Sequence, residues 1–384
     1  MRQNRVLLIA SFAESVTKFR GPLIQAIRSS GASVDIAGPG VGTLPELRDA
    51  MGGLGVGFHD LPLRRTGTNP FADINLFLSI LRLIRRRSPT ATLPYTIKPV
   101  IYGTLAAWIA RVPGRYALIS GLGYAFTGSR GGVLTKLVHG LYRFALSKTH
   151  KVFFQNPDDE RLFRKLGILP ESVPSVVVSG SGVDVGCYAF QPIAGQARQF
   201  LMIARLLGDK GVREFTAAAR RIKTSVPGVR FQLVGWIDSN PDAIPQAELD
   251  AWIAEGAIEF LGKLDDVRPA IAASTVYVLP SYREGTPRTV LEAMAMGRPI
   301  ITTDAPGCRE TVIDGENGFL VPVKSVDALV EAMLKFIGDP TLAPRMGRRS
   351  REIAEEKYDV HKVNAVMLRE MGIAPPQDEN AHAA

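Results

Sequence analysis

Two carboxylates flank the predicted start of a helix in the last third of the chain. Glu284 lies in a loop, and Glu292 follows eight residues later, about two turns into the helix. Thr286 is expected to cap this helix, with Pro287 at its first position, where proline is best tolerated. Gly285 leaves room for a phosphate at the positive end of the helix dipole. The segment therefore predicts a site for an elongated phosphorylated ligand, with one glutamate facing each end.

A second strand-to-helix turn carries two cations. Arg205 follows a predicted buried strand, and Lys210 precedes the next predicted helix. In a parallel sheet both turns lie beyond the carboxyl ends of strands, where such sheets bind ligands, so the two cations could hold a diphosphate. Alternatively, Arg205 and Lys210 form a solvated surface pair, and two glutamates at this spacing occur by chance. The residues alone leave both interpretations open.

The order of the predicted elements indicates how these turns are positioned. Strands and helices alternate through the first 190 residues, and the alternation restarts after a short polar linker at residues 191–199. This pattern is typical of parallel sheets with helices on both faces. We predict an α/β protein of two Rossmann-like domains, residues 1–190 and 191–355, facing each other across a cleft. Residues 356–384 are expected to supply a helix that packs back on the first domain, and a disordered tail.

Charge is distributed unevenly along the chain, whose formal net charge is +9. The first 180 residues contain 23 Lys and Arg against 10 Asp and Glu, whereas the remainder contains 23 against 27. No Asp or Glu occurs between Asp73 and Asp158, a stretch with twelve Lys and Arg. This asymmetry predicts an anionic partner for the first half. Because no nucleic-acid-binding signature accompanies the charges, an anionic membrane surface is favoured and nucleic acid is not expected.

Composition argues against several other classes of protein. The two cysteines, Cys187 and Cys308, are far apart and the five histidines are scattered, so neither a disulfide framework nor a metal site is expected. The apolar run near the N-terminus ends at Glu14 without a cleavage site, which favours a buried strand over a signal peptide. No window has the roughly 18 apolar residues of a membrane span. We expect a cytoplasmic protein, peripheral on the inner membrane.

In combination, these motifs resemble a known family. Arg205 with Lys210, and Glu284-Gly285-Thr286-Pro287 with Glu292, are similar to the signature of the family 4 glycosyltransferases of GT-B fold. The first half resembles the bacterial branch that acts on undecaprenyl-diphosphate-linked sugars, such as the N-acetylgalactosaminyltransferases. Its softer motifs are Phe19-Arg20, Thr96-Ile97-Lys98-Pro99 and Gly121-Leu122-Gly123. The resemblance covers nearly the whole chain.

The resemblance implies a reaction and a role for each residue. A hexose or N-acetylhexosamine would pass, with retention and without a metal or other cofactor, from a nucleotide-diphosphate sugar to a polyprenyl-diphosphate-linked sugar. UDP is the expected carrier, and GDP stays open. Arg205 and Lys210 would bind the diphosphate, Glu284 the transferred sugar and Glu292 the ribose. Gly285, Thr286 and Pro287 would line the same donor site.

One position departs from the family pattern. Many relatives have a histidine after the fourth strand of the first domain, where this chain has Lys98. Lys98 either replaces that histidine electrostatically, against a donor or acceptor phosphate, or simply covers the start of the next helix. Arg20, Lys98, Gly121 and Gly123 are the candidate residues on the acceptor or phosphate side.

Two other functions are compatible with the same motifs. A sugar-nucleotide epimerase of GT-B fold would share the two domains but would have little use for a basic, lipid-facing half. A non-catalytic nucleotide-sugar-binding subunit would have little use for the complete set of two glutamates and two cations.

Overall fold

The computed structural model describes residues 4–63, 69–121, 133–193, 198–238 and 240–373. The chain divides into two compact units: Met1–Ser181 together with His361–Ala384, and Gly182–Val360. Each unit contains one parallel sheet covered by helices, which confirms the predicted α/β class with two Rossmann-like sheets. Gly123 and the tail predicted to be disordered lie outside the described residues.

The strands that the described residues form in the first sheet are β1 (Arg5–Ile9), β2 (Ser33–Gly38), β3 (Gly57–Asp60), β4 (Ala91–Pro94), β5 (Gly114–Ile119), β6 (Lys151–Phe154) and β7 (Ser175–Val177). Their order is β3-β2-β1-β4-β5-β6-β7, and every pair is parallel. The strand order reverses between β1 and β4. Both of these strands are buried nearly throughout, which accounts for their continuous apolar sequences.

The helices of the first half are α1 (Glu14–Ser29), α2 (Pro45–Gly52), α3 (Pro70–Arg87), α4 (Thr104–Ile109), α5 (Val133–Leu146) and α6 (Pro157–Lys165). A π-helical turn, Pro99–Gly103, leads into α4. Asn69 is the N-cap residue of α3, and its side chain accepts hydrogen bonds from the amides of Phe71 (3.0 Å) and Ala72 (3.3 Å). Among the described residues, none of the helices is sufficiently long and apolar to cross a bilayer.

The two faces of this sheet are covered by different helices. One face packs against α1, α2 and the C-terminal helix (Val360–Glu370), through a core that includes Leu8 and Met367. The other face packs against α3, α4, α5 and α6, through two apolar clusters that both contact Tyr102. Helices α3, α4 and α5 therefore form one layer on a single side of the first sheet.

In the part of the chain that the structure describes, the second sheet consists of β8 (Gln199–Ile203), β9 (Arg230–Val234), β10 (Glu259–Phe260), β11 (Val276–Leu279), β12 (Ile300–Thr303) and β13 (Gly318–Val321). Their order is β10-β9-β8-β11-β12-β13, again all parallel. The helices are α7 (Val212–Ser225), α8 (Gln246–Ala254), α9 (Arg268–Ala273), α10 (Arg288–Ala295), α11 (Val326–Gly338) and α12 (Leu342–Ile353). The strand order reverses between β8 and β11, so the loops after these two strands meet at one edge.

The chain passes between the units at different points from those its composition suggested. The first unit ends at Ser181, whereas the polar linker begins at residue 191. Val183 is buried in the core of the second unit, so the residues before the linker already belong there. The C-terminal helix returns to the first unit, where the Tyr116 hydroxyl donates to the carbonyl of Met371 (2.8 Å).

Arg298 is a fully buried cation in the second unit. Its guanidinium donates to the carbonyls of Ser274 (2.7 Å), Met296 (3.2 Å) and Gln191. Burial lowers the pKa of Arg298 to about 10, so the group remains protonated at neutral pH. It thereby joins the residue after α9, the end of α10 and the start of the polar segment at Gln191, all within the second unit, by charge-assisted hydrogen bonds.

We predict that Arg298→Met destabilises the second unit, because it removes the donor of the buried Ser274 carbonyl and the hydrogen bonds to Met296 and Gln191. The expected loss is about 3 kcal/mol, or a fall of roughly 10 °C in melting temperature measured by calorimetry. Arg268→Met is the matched control, since Arg268 is half exposed and its ion pair with Asp266 is solvated. Equal melting temperatures for the two variants would contradict the role assigned to Arg298.

Candidate active site

The loop after β8 approaches the loop after β11 very closely. Gly211 has a φ of +74°, and a Cβ at this position would lie 2.2 Å from the carbonyl oxygen of Pro280. Only glycine fits both the left-handed conformation and this contact. The amide of Tyr282 also donates to the carbonyl of Asp209 (2.8 Å). The two loops that carry the predicted cations and glutamate are therefore fixed side by side.

Lys210 and Glu284 meet where these loops touch. The Lys210 Nζ lies 2.7 Å from Glu284 Oε1, and the Ser281 hydroxyl donates to the same oxygen (2.8 Å). Burial disfavours the charged amine, but the attraction of Glu284 and Asp209 outweighs it and raises the pKa of Lys210. Lys210 is thus a fixed cation, and Glu284 is a carboxylate held in place by two donors.

Arg205 lies at the same edge of the sheet. Its Nη1 donates to Asp238 Oδ2 (2.8 Å), and its side chain is 34% exposed, so it can exchange this partner for a ligand. Burial and the nearby charges of Glu284 and Asp242 raise the pKa of Asp209, against the opposing effect of Lys210. The structure therefore brings Arg205, Lys210 and Glu284 to one edge, as the sequence predicted for a cation pair that faces a glutamate.

Glu292 lies in α10 and is buried. Its Oε1 accepts hydrogen bonds from the Tyr188 hydroxyl (2.9 Å) and from Arg288 Nε (2.8 Å). Burial and the charge of Glu292 raise the pKa of Tyr188, so the phenol remains a donor. Arg351 Nη1 in turn donates to the carbonyls of Tyr188 (2.9 Å) and Ala295 (2.7 Å). The carboxylate of Glu292 is therefore oriented directly by Tyr188 and Arg288, and Arg351 holds the backbone of Tyr188 in place.

Sequence reasoning missed these three supports. Arg288 precedes Glu292 by four residues on a helix, and this spacing could have indicated the ion pair. Tyr188 and Arg351 are distant in sequence and lie in no motif, so nothing in the sequence pointed to them.

The start of α10 differs in detail from the prediction. The helix begins at Arg288, and Pro287 is its N-cap residue with no side-chain capping bond. The Thr286 hydroxyl instead donates to the carbonyl of Gly285 (3.0 Å), so the prediction that Thr286 caps the helix was wrong. Thr286 stands one residue too early for that role. Gly285 and Thr286 still lie half-buried beside Glu284, at the amino end of the helix.

The candidate residues of the first unit lie around the carboxyl ends of β4 and β5. Arg20 is buried in α1, with its Cζ 5.1 Å from the ring centroid of Tyr95. Lys98 Nζ pairs with Asp73 Oδ1 (2.7 Å) at the start of α3. Arg20 is thus part of a helix on one face of the sheet, whereas Lys98 contacts a helix on the other face. Gly121 follows β5 with a φ of +119°.

Two family comparisons cover most of the chain. Residues 5–156 match the family described as glycosyl transferase 4-like, and residues 197–339 match the family described as glycosyl transferases group 1. Each match falls within one structural unit. The chain is therefore a glycosyltransferase, with a 4-like first domain and a group 1 second domain. The resemblance drawn from the motifs is confirmed.

Similar proteins include enzymes with lipid-linked sugars in their names. The N,N'-diacetylbacillosaminyl-diphospho-undecaprenol alpha-1,3-N-acetylgalactosaminyltransferase of Campylobacter jejuni is 27% identical, covering 92% of this chain and 95% of that protein. The UDP-Gal:alpha-D-GlcNAc-diphosphoundecaprenol alpha-1,3-galactosyltransferase of Escherichia coli is 26% identical over 70% of this chain and 72% of that protein. The chain thus aligns with almost the full length of the Campylobacter enzyme.

Solved structures share the fold. Sucrose-phosphate synthase from Thermosynechococcus elongatus superposes with a TM-score of 0.77 at 17% identity, covering 96% of this chain and 98% of that one. The Anabaena protein HepE, in complex with UDP and glucose, gives 0.74 at 16% identity, with coverage of 96% and 99%. At these identities the likeness establishes the GT-B fold.

We predict that Gly211→Ala lowers sugar transfer about 100-fold, because the added methyl group pushes the loop and Lys210 away from the loop after β11. The matched control is Gly228→Ala, where φ is +89° but nothing lies within 4 Å of the added Cβ. Both variants incur the backbone strain of a positive φ, and Gly211→Ala adds the overlap with Pro280, so its melting temperature should fall further. A similar loss of transfer in both would contradict the importance of the loop contact.

Proposed function

We propose that the chain transfers a hexosyl or N-acetylhexosaminyl group from a UDP-sugar to a sugar carried on polyprenyl diphosphate, with retention and without a metal ion. The observation that carries this proposal is the meeting of Lys210, Arg205 and Glu284 at one edge of the second sheet. A nucleotide sugar has an anionic diphosphate next to a neutral, hydroxyl-rich ring, and this edge offers two cations next to a carboxylate.

The two cations suit the leaving diphosphate. As the bond to the sugar breaks, negative charge builds up on the outer phosphate, and fixed cations stabilise that charge most when they need no rearrangement. Lys210 meets this condition because Glu284 already holds it in place. Arg205 is more exposed and is expected to turn from Asp238 towards the phosphate. Together they supply the positive charge that a divalent metal supplies elsewhere.

Glu284 is suited to binding the sugar rather than attacking it. One of its oxygens is occupied by Lys210 and Ser281, which hold the carboxylate as an acceptor for sugar hydroxyls. We therefore assign a same-face substitution. The bond between the anomeric carbon and the outer phosphate oxygen breaks, and the acceptor oxygen forms its bond on the same face. The acceptor proton passes to the departing diphosphate.

The nucleotide end of the donor is assigned to Glu292. Its buried carboxylate has a fixed orientation and can accept both ribose hydroxyls. Ribose recognition does not identify the base. UDP is proposed because the Escherichia coli relative is named for a UDP-linked donor.

The acceptor is proposed from the two relatives, both of which are named for a sugar on diphospho-undecaprenol. The first unit would bind it, and Lys98 is a candidate for contact with its diphosphate. Because Lys98 is paired with Asp73, an incoming phosphate would have to share or replace this carboxylate.

The test is incubation of the purified chain with UDP- and GDP-sugars and with single sugars on polyprenyl diphosphate. We expect one UDP-sugar to be transferred at a rate that a chelator does not change. We also expect NMR of the product to show the same anomeric configuration as in the donor. Epimerised donor without acceptor would favour the epimerase, and donor binding without any product would favour a binding subunit. Loss of activity with the chelator would refute metal independence.

Glu284→Gln is expected to lower kcat by about 100-fold. A neutral amide forms no ion pair with Lys210, and it accepts weaker hydrogen bonds from the sugar hydroxyls than a carboxylate does. Steady-state kinetics with the donor found in the panel would measure this. The control Glu331→Gln replaces an exposed glutamate of α11 and should leave kcat unchanged. A normal kcat for Glu284→Gln would refute its role at the sugar.

Tyr188→Phe is expected to raise the donor KM about 5-fold with little change in kcat, since it removes one hydrogen bond that orients the ribose-binding carboxylate. Tyr116→Phe also removes one hydroxyl hydrogen bond, but in the first unit, and should leave the donor KM unchanged. If Tyr188→Phe instead lowered kcat at constant KM, Glu292 would belong to the reacting end of the donor.

A further inference from the structure

The layer formed by α3, α4 and α5 has an unusually apolar outer side. Along α3, a single stripe contains Phe71, Ile74 and Leu78, which are 83%, 56% and 38% exposed. The inner side of the same helix buries Leu76, Ile80, Leu81 and Ile84 against the sheet. Because the core already has its own set of apolar residues, the outer stripe does not contribute to it.

An aromatic group continues this outer side onto α4 and α5. Trp108 and Phe144 pack edge to face with their ring centroids 5.9 Å apart, and both are exposed. The Lys148 ammonium lies 5.0 Å from the centroid of each ring. Tryptophan with a nearby lysine is typical of side chains at the interface between lipid and water. Ile109 and Leu137 add further exposed apolar surface.

Basic residues border the apolar ones. On α3 the stripe continues with Arg82, Arg85 and Arg86, all exposed. On α5 the exposed residues next to Leu137 and Phe144 are Lys136 and Arg143. The sequence of this layer after Asp73 contains no carboxylate, and Asp73 is already bound by Lys98 and Tyr102. The outer side therefore combines exposed apolar groups with cations and has almost no negative charge.

The helices on the other face of the sheet are different. There α1 and α2 expose acids together with bases, such as Glu14 with Lys18 and Asp49 with Arg48. The excess of cations is therefore a property of α3, α4 and α5 rather than of the whole unit.

We propose that the outer side of α3, α4 and α5 docks on an anionic lipid bilayer. Phe71, Ile74 and Leu78 would insert among the acyl chains, and Arg82, Arg85 and Arg86 would lie at the lipid phosphates. A second copy of this chain would bring like charges together. A nucleic acid would leave the exposed aliphatic groups without apolar contacts. The docking surface adds to the proposed function but is carried by its own residues.

The test is co-sedimentation of the full chain with vesicles of phosphatidylcholine alone or of phosphatidylcholine and phosphatidylglycerol in equal parts. We expect strong binding only to the anionic vesicles. The triple variant Arg82→Gln, Arg85→Gln, Arg86→Gln should lower the partition coefficient about 100-fold. Lys18→Gln, Arg48→Gln, Arg348→Gln makes the same charge change at exposed positions elsewhere and should bind almost as wild type.

The apolar stripe is tested by Phe71→Gln, Ile74→Gln, Leu78→Gln. It should lower anionic vesicle binding at least 10-fold, whereas Ile253→Gln, Ile313→Gln, Leu334→Gln changes three exposed apolar residues of the second unit and should not. Equal effects of the α3 variants and their controls would overturn the proposal. So would a wild-type dimer that the stripe variant converts to a monomer.

Transfer to a short, water-soluble acceptor separates this inference from the proposed function. Both α3 variants should retain wild-type rates with that acceptor, because the substitutions lie outside the donor site. Vesicle binding by a chain that transfers no sugar would leave the surface intact and refute the proposed function. Transfer to lipid acceptors without any vesicle binding would support the proposed function and refute the docking surface.

Discussion

The candidate active site depends on one steric constraint, the contact between the loops that follow β8 and β11. Parallel strands next to a reversal of strand order leave a gap between their loops, and here Gly211 lets the backbone close that gap against Pro280. Without a side chain at this position, Lys210 reaches Glu284, and Ser281 reaches the same carboxylate. The side-chain contacts of the site therefore follow from a close backbone approach, which the hydrogen bond from the Tyr282 amide to the Asp209 carbonyl also holds in place.

Much of this arrangement could be predicted from the sequence. Buried strands followed by Arg205 and by Glu284 indicated both loops, and their common edge followed from parallel alternation. The sequence shows a glycine directly after Lys210. Its contact with Pro280 could not be predicted, because that contact depends on the packing of strands that are distant in sequence. The same limit explains Tyr188, which donates to Glu292, and Arg351, which donates to the carbonyl of Tyr188, because both hydrogen bonds join residues far apart in sequence. Local periodicity has no information on such pairs.

The first unit shows a different limit. The absence of acids after Asp73 was evident from the sequence, and it predicted an anionic partner. Only the structure showed that α3, α4 and α5 share one side of the sheet, and that Trp108 and Phe144 come together there. It also showed Lys98 already paired with Asp73, which the spacing of these residues did not indicate. The charge composition predicted that the surface is positive, and the packing of the helices showed where that surface lies.

The return of the C-terminal helix has a consequence for the order of synthesis. The second unit is one continuous segment, Gly182–Val360, whereas the first unit is completed by residues 361–373, whose Met367, Leu368 and Met371 fill its core. During translation, the first sheet emerges early, but the part of its apolar face that α1 and α2 do not cover stays open until the last part of the described chain has left the ribosome. The later half can thus finish folding first, and the earlier half depends on chaperones or on its own partial packing for the interval.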